Sequence, residues 1–166
     1  LLIVSPFISI HAIENDQLIP LIRHTVQRGV NVTIYTDSSL DYDMKNKHLL
    51  SHAKDGRNAL IESGVTLIEV KGIHNKSLAI DNHTLIEGSF NWLSANRHKE
   101  YSRHECSIIV SSFQADEYIN NLIKELESRE KTFQSLSKTT IYLDIDQKHP
   151  GFFTKESFND CTEEDI

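Results

Sequence analysis

The sequence predicts an α/β fold, and three features of its first 36 residues lead to this prediction. Residues 1–5 form an apolar run, typical of a strand that is buried on both faces of a sheet. Leu18, Ile22 and Val26 recur every four residues, which indicates a helix, and residues 30–36 are β-branched and aromatic. Strand, helix and strand thus follow within the length of one right-handed βαβ crossover, so we expect parallel pairing here.

Local signals predict where this first helix begins and ends. Either Asn15 or Asp16 can cap the first turn, and Gly29 can provide the left-handed exit that ends many helices. Pro20 is compatible with the helix because it lies in its early part, where the missing N–H is tolerated.

A second helix and a third strand are predicted next. Residues 40–48 are polar and irregular, and Leu49 and Ala53 then begin a helical pattern that Gly64 ends. This pattern is weaker than that of the first helix. Residues 65–70 are strand-like again.

The following segment predicts a hairpin and the last elements of the core. Two β-rich runs, residues 74–81 and 84–87, are joined by Asp-Asn-His, a connection of hairpin length. Residues 105–111 form another apolar run. A final helix is predicted from an apolar stripe at helical spacing, whose members are Ala115, Tyr118, Ile119, Leu122, Ile123 and Leu126.

Composition divides the chain into two regions. We expect a domain over residues 1–133, where the apolar pattern ends, and a polar, acidic C-terminal extension over residues 134–166 with one short strand candidate at residues 140–143. From Lys138 onward, three lysines and seven acidic residues contribute −4 of the formal net charge of −7. A structured appendage, a partner-binding segment and a flexible tail are the three alternatives for this extension.

The overall composition excludes several classes of protein. With 39 % hydrophobic and 25 % charged residues among 166, a packed core is feasible and a disordered or collagen-like chain is not expected. No run approaches the roughly 18 to 20 consecutive apolar residues that cross a bilayer, so no membrane span is expected. Cys106 and Cys161 are too far apart for a disulfide framework, which favours a reducing, cytoplasmic location. Because the chain starts without methionine inside a strand-like run, we expect further domains in a longer parent chain.

The segment HNKSLAIDNHTLIEGSFNW, residues 74–92, carries the candidate chemistry. Side chains alternate along a strand, so His74 and Lys76 are expected on one face while Asn75 and Ser77 lie on the other. An imidazole and an ammonium are then neighbours at the start of an otherwise buried strand. Because an unpaired buried charge is costly, an anionic ligand such as a phosphodiester would explain this placement.

The spacing within this segment resembles the HKD signature of the phospholipase D superfamily. His-x-Lys is followed after four residues by Asp81 and after six more by the run Gly88-Ser89-Phe90-Asn91. So many fixed positions within about eighteen residues make a specific motif. The resemblance extends over roughly residues 1–133, and GSFNW in particular resembles the single-motif bacterial nuclease branch, which includes domains of larger DNA-processing or defence proteins.

The resemblance implies a mixed, largely parallel β-sheet sandwiched by helices, and a metal-independent, endonuclease-like phosphodiesterase without a cofactor. By this resemblance, His74 attacks phosphorus to form a covalent phosphohistidine, and His74 of a second copy protonates the leaving oxygen. Lys76, Ser89 and Asn91 would hold the non-bridging oxygens. The chain would be a homodimer with the HKD motifs at the dyad.

Two acidic residues receive separate roles. Asp81 lies seven residues beyond His74, hence on the opposite strand face, so we give it a secondary, structural role. Glu105 resembles the acidic residue that hydrogen-bonds the catalytic imidazole in the nuclease branch. Because the interval from Asn91 to Glu105 is longer than in the smallest family nucleases, Glu100 is the competing candidate.

The loop NRHKEYSRHE, residues 96–105, carries candidate substrate-binding residues. Arg97, Lys99 and Arg103 can guide a phosphate backbone, and Trp92 or Tyr101 can stack on an unpaired base. We therefore expect nucleic acid, preferably single-stranded, as the substrate. A solvated loop without function explains the same charges about equally well.

A second irregular loop can form the opposite rim through Lys45, Lys47 and His48. The remaining histidines, His98 and His104 among them, lack a third ligand at metal spacing, so no metal site is expected.

Two other functions stay open. A phospholipid phosphodiesterase or transferase would use the same chemistry, but no amphipathic membrane-binding segment is apparent. A catalytically silent nucleic-acid-binding dimerisation module is the other alternative, and the intact His74, Lys76 and Asn91 argue against it.

Overall fold

The computed structural model describes residues 1–46, 48–95, 97, 103–111 and 113–146. The chain divides into two compact units, Leu1–Glu130 and Lys131–Ile166. The described residues of the second unit are helical. Among the described residues, no helix has the length and apolarity needed to cross a membrane.

Strands and helices follow one another along the described chain in this order: β1 Leu2–Val4, α1 Ile10–Asn15, α2 Leu18–Gln27, β2 Thr33–Thr36, β3 Tyr42–Asp43, β4 His48–Leu49, α3 Ser51–Glu62, β5 Thr66–Glu69, β6 Lys76–Ile80, β7 Thr84–Gly88, β8 Ser107–Ser111 and α4 Phe113–Asp146. A single 3-10 turn, Ser38–Asp41, precedes β3.

The main sheet has six strands in the order β5-β2-β1-β6-β7-β8. Strands β5, β2 and β1 pair in parallel, as the predicted crossover requires, and the remaining neighbours are antiparallel. Strands β1, β2, β5 and β7 therefore run in one direction and β6 and β8 in the other. The predicted mixed, largely parallel α/β sheet is confirmed.

Helices cover both faces of this sheet because its central strands are apolar on both sides. Ile3 and Ile34 are adjacent in register and belong to a buried cluster with residues of α1, α2 and α3. Val4 and Tyr35, the next pair, face the opposite side and pack with Leu126 of α4. This alternation is what an apolar strand buried on both faces requires.

The start of α2 differs from the prediction. Asn15 and Asp16 do not cap it, because they end the short helix α1, which the sequence pattern did not indicate. The residue before α2 is Gln17, which reverses the chain in the left-handed region at φ 54° without a side-chain cap. At the C-terminal end of α2 the predicted left-handed exit is confirmed, because Gly29 lies in the left-handed region at φ 84°.

The strand candidate at residues 140–143 is wrong, because helix α4 continues through Asp146. The β-branched residues there raise strand propensity only weakly. Extending an existing helix adds one hydrogen bond for each residue fixed, whereas an isolated strand has no partner to pair with.

Candidate active site

Three segments of the chain meet at one end of the β6–β7 hairpin. Lys76, the first residue of β6, pairs with Gly88, the last residue of β7, and Gly88 pairs in turn with Ser107 of β8. The residues immediately outside these strand ends therefore lie side by side. They include the predicted site residues His74, Ser89, Asn91 and Glu105.

Gly88 permits the close approach of β7 and β8 at this point. A Cβ atom at this position would collide with the hydroxyl of Ser107 and the carbonyl oxygen of Cys106, and it would lie 2.8 Å from Cα of Ser107. Two of these three obstacles are backbone atoms, which cannot move without shifting the strand. The glycine of the motif is thus required for the pairing that brings Glu105 beside Ser89.

His74 is exposed and Lys76 is buried, yet their side chains are in contact. Nζ of Lys76 lies 3.0 Å from Nδ1 and 3.4 Å from Nε2 of the imidazole, and it donates to the carbonyl oxygen of His74 at 2.5 Å. The ring of Phe7 meets the imidazole edge-on, with 6.3 Å between ring centroids. The two motif residues therefore share one face of the chain, as strand alternation predicts.

The ammonium of Lys76 is held in an unfavourable environment. Only 7 % of the residue is exposed, which is unusual for a lysine. Burial lowers the pKa of Lys76, and the neighbouring charge of Glu105 counteracts this by raising it. A desolvated ammonium beside an exposed imidazole favours the binding of an anion.

Ser89 connects the ends of β7 and β8. Its N–H donates to the carbonyl oxygen of Cys106 at 3.0 Å, and its hydroxyl accepts from the N–H of Cys106 at 3.1 Å. The same hydroxyl donates to the Glu105 carboxylate. Within the described part of the chain, no hydrogen bond joins Glu105 to His74, so the orienting role expected of Glu105 stays a prediction.

Asn91 begins a turn that is tied to the loop after β1. Its carbonyl oxygen accepts from the N–H of Ala95 at 2.9 Å, while Ser9 and Leu93 are joined by a backbone hydrogen bond of the same length. The side-chain oxygen Oδ1 of Asn91 is buried and has no partner among the described residues. This oxygen can accept a hydrogen bond from a ligand donor.

A cavity of about 690 Å³ opens beside these residues. Asn91 and Glu105 line it together with Phe7, Phe90 and His52. The sequence pattern assigned no role to the last three. The available signal was topological: Phe7 follows β1, and ligands of open α/β sheets bind beyond the carboxyl ends of parallel strands.

Two of the predicted substrate-binding residues reach this cavity. Arg97 and Arg103 both line it. Arg97 forms an ion pair with Asp16 and stands 4.5 Å from the ring centroid of Phe90. Arg103 is exposed. The loop charges are therefore placed where a substrate backbone could reach them.

Trp92 lies elsewhere. It packs against the buried cluster under α1 to α3, and Phe90 meets its ring edge-on at 5.3 Å between centroids. Its indole N–H is buried without a partner among the described residues. In this position Phe90, not Trp92, presents an aromatic ring to the cavity.

The remaining candidates fall outside the site or outside the described residues. Lys45 and His48 are exposed in and next to the small β3–β4 hairpin. Asp81 is the left-handed first residue of the β6–β7 turn, at φ 50°, at the opposite end of the hairpin from His74. This place agrees with a structural role for Asp81. The residues outside the described part of the chain are Lys47, His98, Lys99, Glu100 and Tyr101.

A buried charge network supports the loops around the cavity. Arg57 of α3 forms ion pairs with Asp41 at 3.0 Å and with Glu69 at 2.8 Å. Asp41 in turn accepts from the N–H of Ile8 at 3.1 Å. Burial raises the pKa of Asp41, and this hydrogen bond and Arg57 oppose the rise. The network joins α3 to the loops that follow β1 and β2 and to the end of β5, and nothing in the local sequence pattern indicated it.

Within the part of the chain that the structure describes, no three His, Cys, Asp or Glu side chains form a group that could hold a metal ion. Cys106 is a free, exposed thiol.

The sequence model of the family described as "Cardiolipin synthase, PLD-like domain" matches residues 1–129. No curated protein matches the chain.

Proposed function

We propose, from the premise that this chain belongs to the PLD-like domain family of the phospholipase D superfamily, that it is a metal-independent phosphodiesterase that cleaves nucleic acid. The observation that carries the proposal is the contact between the exposed imidazole of His74 and the buried ammonium of Lys76. The imidazole is open to solvent, where a phosphate can reach it, and the buried ammonium is in contact with it. We assign this activity to residues 1–133. We also propose a cytoplasmic location, because the two cysteines are too far apart in the sequence for a disulfide framework.

The proposed reaction has two displacements at phosphorus. In the first, a ring nitrogen of His74 forms a bond to phosphorus while the bond to the leaving oxygen breaks, and an imidazolium of the second copy gives its proton to that oxygen. In the second, that imidazole takes a proton from water, whose oxygen attacks phosphorus and releases His74. Each step forms one bond and breaks one, so neither needs an oxidant or a co-reactant.

Three side chains are available for the charge that develops on the non-bridging oxygens. Lys76 supplies an ammonium, Ser89 a hydroxyl that would have to turn from the Glu105 carboxylate to donate to phosphate, and Asn91 the NH2 group of its amide. A donor that is already in place, as the ammonium is, costs no reorganisation during the reaction, and removing it typically costs about 2.7 to 4 kcal/mol of transition-state stabilisation.

One HKD motif provides one imidazole, whereas the mechanism uses two. We therefore propose a two-fold homodimer in which the motifs face each other across the dyad, the commonest symmetry of homo-oligomers. Mixing an excess of His74→Asn protein with wild-type protein should lower activity more than dilution does, because mixed dimers lack one imidazole. Activity that follows dilution alone, together with a monomeric mass in light scattering, would contradict the dimer.

The cavity favours a nucleic-acid backbone over a lipid. Its wall carries two arginines, a histidine and an amide besides the rings of Phe7 and Phe90. Arginines and aromatic rings together suit phosphates and bases. The second candidate is a phospholipid phosphodiester, and the matched family supports it, because its description names cardiolipin synthase.

A substrate panel tests the proposed function. Wild-type protein and the His74→Asn variant are incubated with single-stranded DNA, duplex DNA, RNA and phosphatidylglycerol vesicles, all with excess chelator. The proposal predicts cleavage of nucleic acid, single strands above all, by wild type alone. Full inhibition by chelator that added metal reverses, or release of headgroup from vesicles while nucleic acid stays intact, would contradict it.

A further inference from the structure

Two cavities beside the candidate active site form one continuous trough. The cavity of about 690 Å³ shares four lining residues with a neighbour of about 430 Å³, namely Ser9, Ser94, Ala95 and Arg97. The larger volume alone lies within the about 300 to 1,000 Å³ that holds drug-sized ligands. His74 and Lys76 are not among the residues that line it, so the trough lies beside the position of the phosphate under attack.

The carboxylates that line the trough already have cationic partners. Asp16 is paired with Arg97, and Asp41 is paired with the buried Arg57. Glu105 binds Ser89 and lies near Lys76. The negative charge of the wall is thus compensated before any ligand binds.

Other donors of the trough remain available. Arg103 is exposed at the wall and has no ion pair among the described residues. His52 lines the larger cavity and His11 the smaller one, and their rings stack with 6.4 Å between centroids. These donors thus extend from one cavity to the next.

We propose that this trough binds the phosphate that flanks the scissile one, with Arg103 and His52 as its donors and His11 continuing the track. The inference rests on the proposed function and makes it narrower, because a substrate must then carry at least two consecutive phosphates. Phe90, held under the guanidinium of Arg97, supplies the ring against which a base stacks. The substrate class is a polynucleotide.

The lining also disfavours an acyl chain. The wall of the larger cavity carries charged and polar side chains, Asp41, His52 and Asn91 among them, besides the rings of Phe7 and Phe90. Transferring a hydrocarbon chain next to charged groups gains little, because these groups keep water around them. Charged groups and aromatic rings in one wall match a backbone with bases.

The test compares a substrate with flanking phosphates with one that has none. Hydrolysis of a single-stranded oligonucleotide and of bis(4-nitrophenyl) phosphate is measured for wild type, His52→Gln and Arg103→Gln, with Arg28→Gln, an exposed arginine at the end of α2, as the control. Thermal unfolding verifies that each variant is folded. The inference predicts that the ratio of the two kcat/KM values, oligonucleotide over small ester, falls about tenfold in His52→Gln and Arg103→Gln and stays unchanged in Arg28→Gln.

Each other outcome overturns a specific statement. If wild type hydrolyses both substrates and the ratio is the same in all variants, the flanking subsite is wrong while the proposed function stands. If wild type hydrolyses neither, the proposed function fails and the subsite with it. If phosphatidylglycerol vesicles are hydrolysed and the oligonucleotide is not, the trough binds lipid and the polynucleotide assignment is wrong.

Discussion

Nζ of Lys76 lies 3.0 Å from Nδ1 of His74 on an otherwise buried strand end. In the copy that attacks, a ring nitrogen that accepts from this ammonium carries no proton, because an ammonium can only donate. The contact is therefore compatible with the neutral imidazole, the form that attacks phosphorus, and a bound phosphate would take over the donors of Lys76.

Lys76→Met should lower turnover about 100-fold to 1,000-fold and stabilise the fold. Turnover falls because a transition-state charge partner is lost, at a cost of about 2.7 to 4 kcal/mol. Stability rises because burial disfavours the ammonium that the substitution removes. Each 1 kcal/mol added to the free energy of unfolding raises Tm by about 2 to 4 °C in a chain of this size. Activity assays and thermal unfolding measure the two effects.

The stability gain of Lys76→Met should depend on pH in a defined direction. The folded pKa of Lys76 is lowered, so the unfolded chain binds more protons between that value and the ordinary one of about 10.4. Wild type is then destabilised below the folded pKa and recovers as pH rises through this window. The difference in Tm should shrink toward pH 10, and a difference that grows would contradict the assigned burial cost.

Gly88→Ala should reduce both stability and turnover. The added methyl group collides with the backbone of residues 106–107, and such overpacking costs about 1 to 3 kcal/mol. Gly29→Ala is the matched control, because its left-handed conformation also costs about 1 to 2 kcal/mol while no atom lies within 4 Å of the new Cβ. Both variants should lose stability, whereas kcat per folded molecule should fall only in Gly88→Ala. Equal kcat in the two would show that the β7–β8 contact does not shape the site.

The strands of the parallel half and the β6–β7 hairpin could be predicted because each depends on a local apolar pattern. The face shared by His74 and Lys76 followed from alternation alone, and the contact at 3.0 Å confirms it. The helix α1 could not be predicted, since six residues without a side-chain cap leave no periodic signal. In each of these cases the signal comes from neighbouring residues. A strong local pattern allows a correct prediction, and a weak one does not.

Glu105→Gln should lower kcat with little effect on substrate affinity, because the carboxylate holds Ser89 and is not proposed to bind phosphate. Losing a hydrogen bond to a charged group predicts a decrease of about tenfold to 100-fold. Removing the charge also lowers the pKa of Lys76 further, so the alkaline decline of the pH–rate profile should move to lower pH. If Glu100→Gln has the larger effect, the two acidic residues exchange roles.

Arg103→Ala should weaken binding of oligonucleotides more than Arg97→Ala does. Arg97 is already paired with Asp16, whereas Arg103 has no ion pair among the described residues. In the inactive His74→Ala background, removing one phosphate contact should reduce the slope of log affinity against log salt by about 0.7 to 0.9. Affinities measured across a salt series test this. Unchanged affinity and slope in both variants would mean that the loop is merely solvated.

The parts of the site that the sequence did not indicate depend on long-range contacts. Arg57 lies in a weakly patterned helix, and only the fold brings it between Asp41 and Glu69. Phe90 and Trp92 are equally plausible as stacking residues by type, but the turn after Asn91 packs Trp92 against the core and leaves Phe90 at the cavity. Neither the position of Arg57 nor the different positions of Phe90 and Trp92 have a local sequence signal, because both depend on how distant loops pack.

The most direct test of the account is the covalent intermediate on His74. Wild-type protein is mixed with a single-stranded oligonucleotide, stopped within the first turnover in alkaline denaturant, which preserves a nitrogen–phosphorus bond, and digested for peptide mass analysis. The account predicts that the peptide containing His74 gains the mass of the phosphate-linked cleavage fragment and that His74→Asn protein shows neither adduct nor cleavage, while His24→Asn, at an exposed histidine of α2, behaves as wild type. Cleavage in the first turnover with an unmodified His74 peptide would contradict the phosphohistidine mechanism.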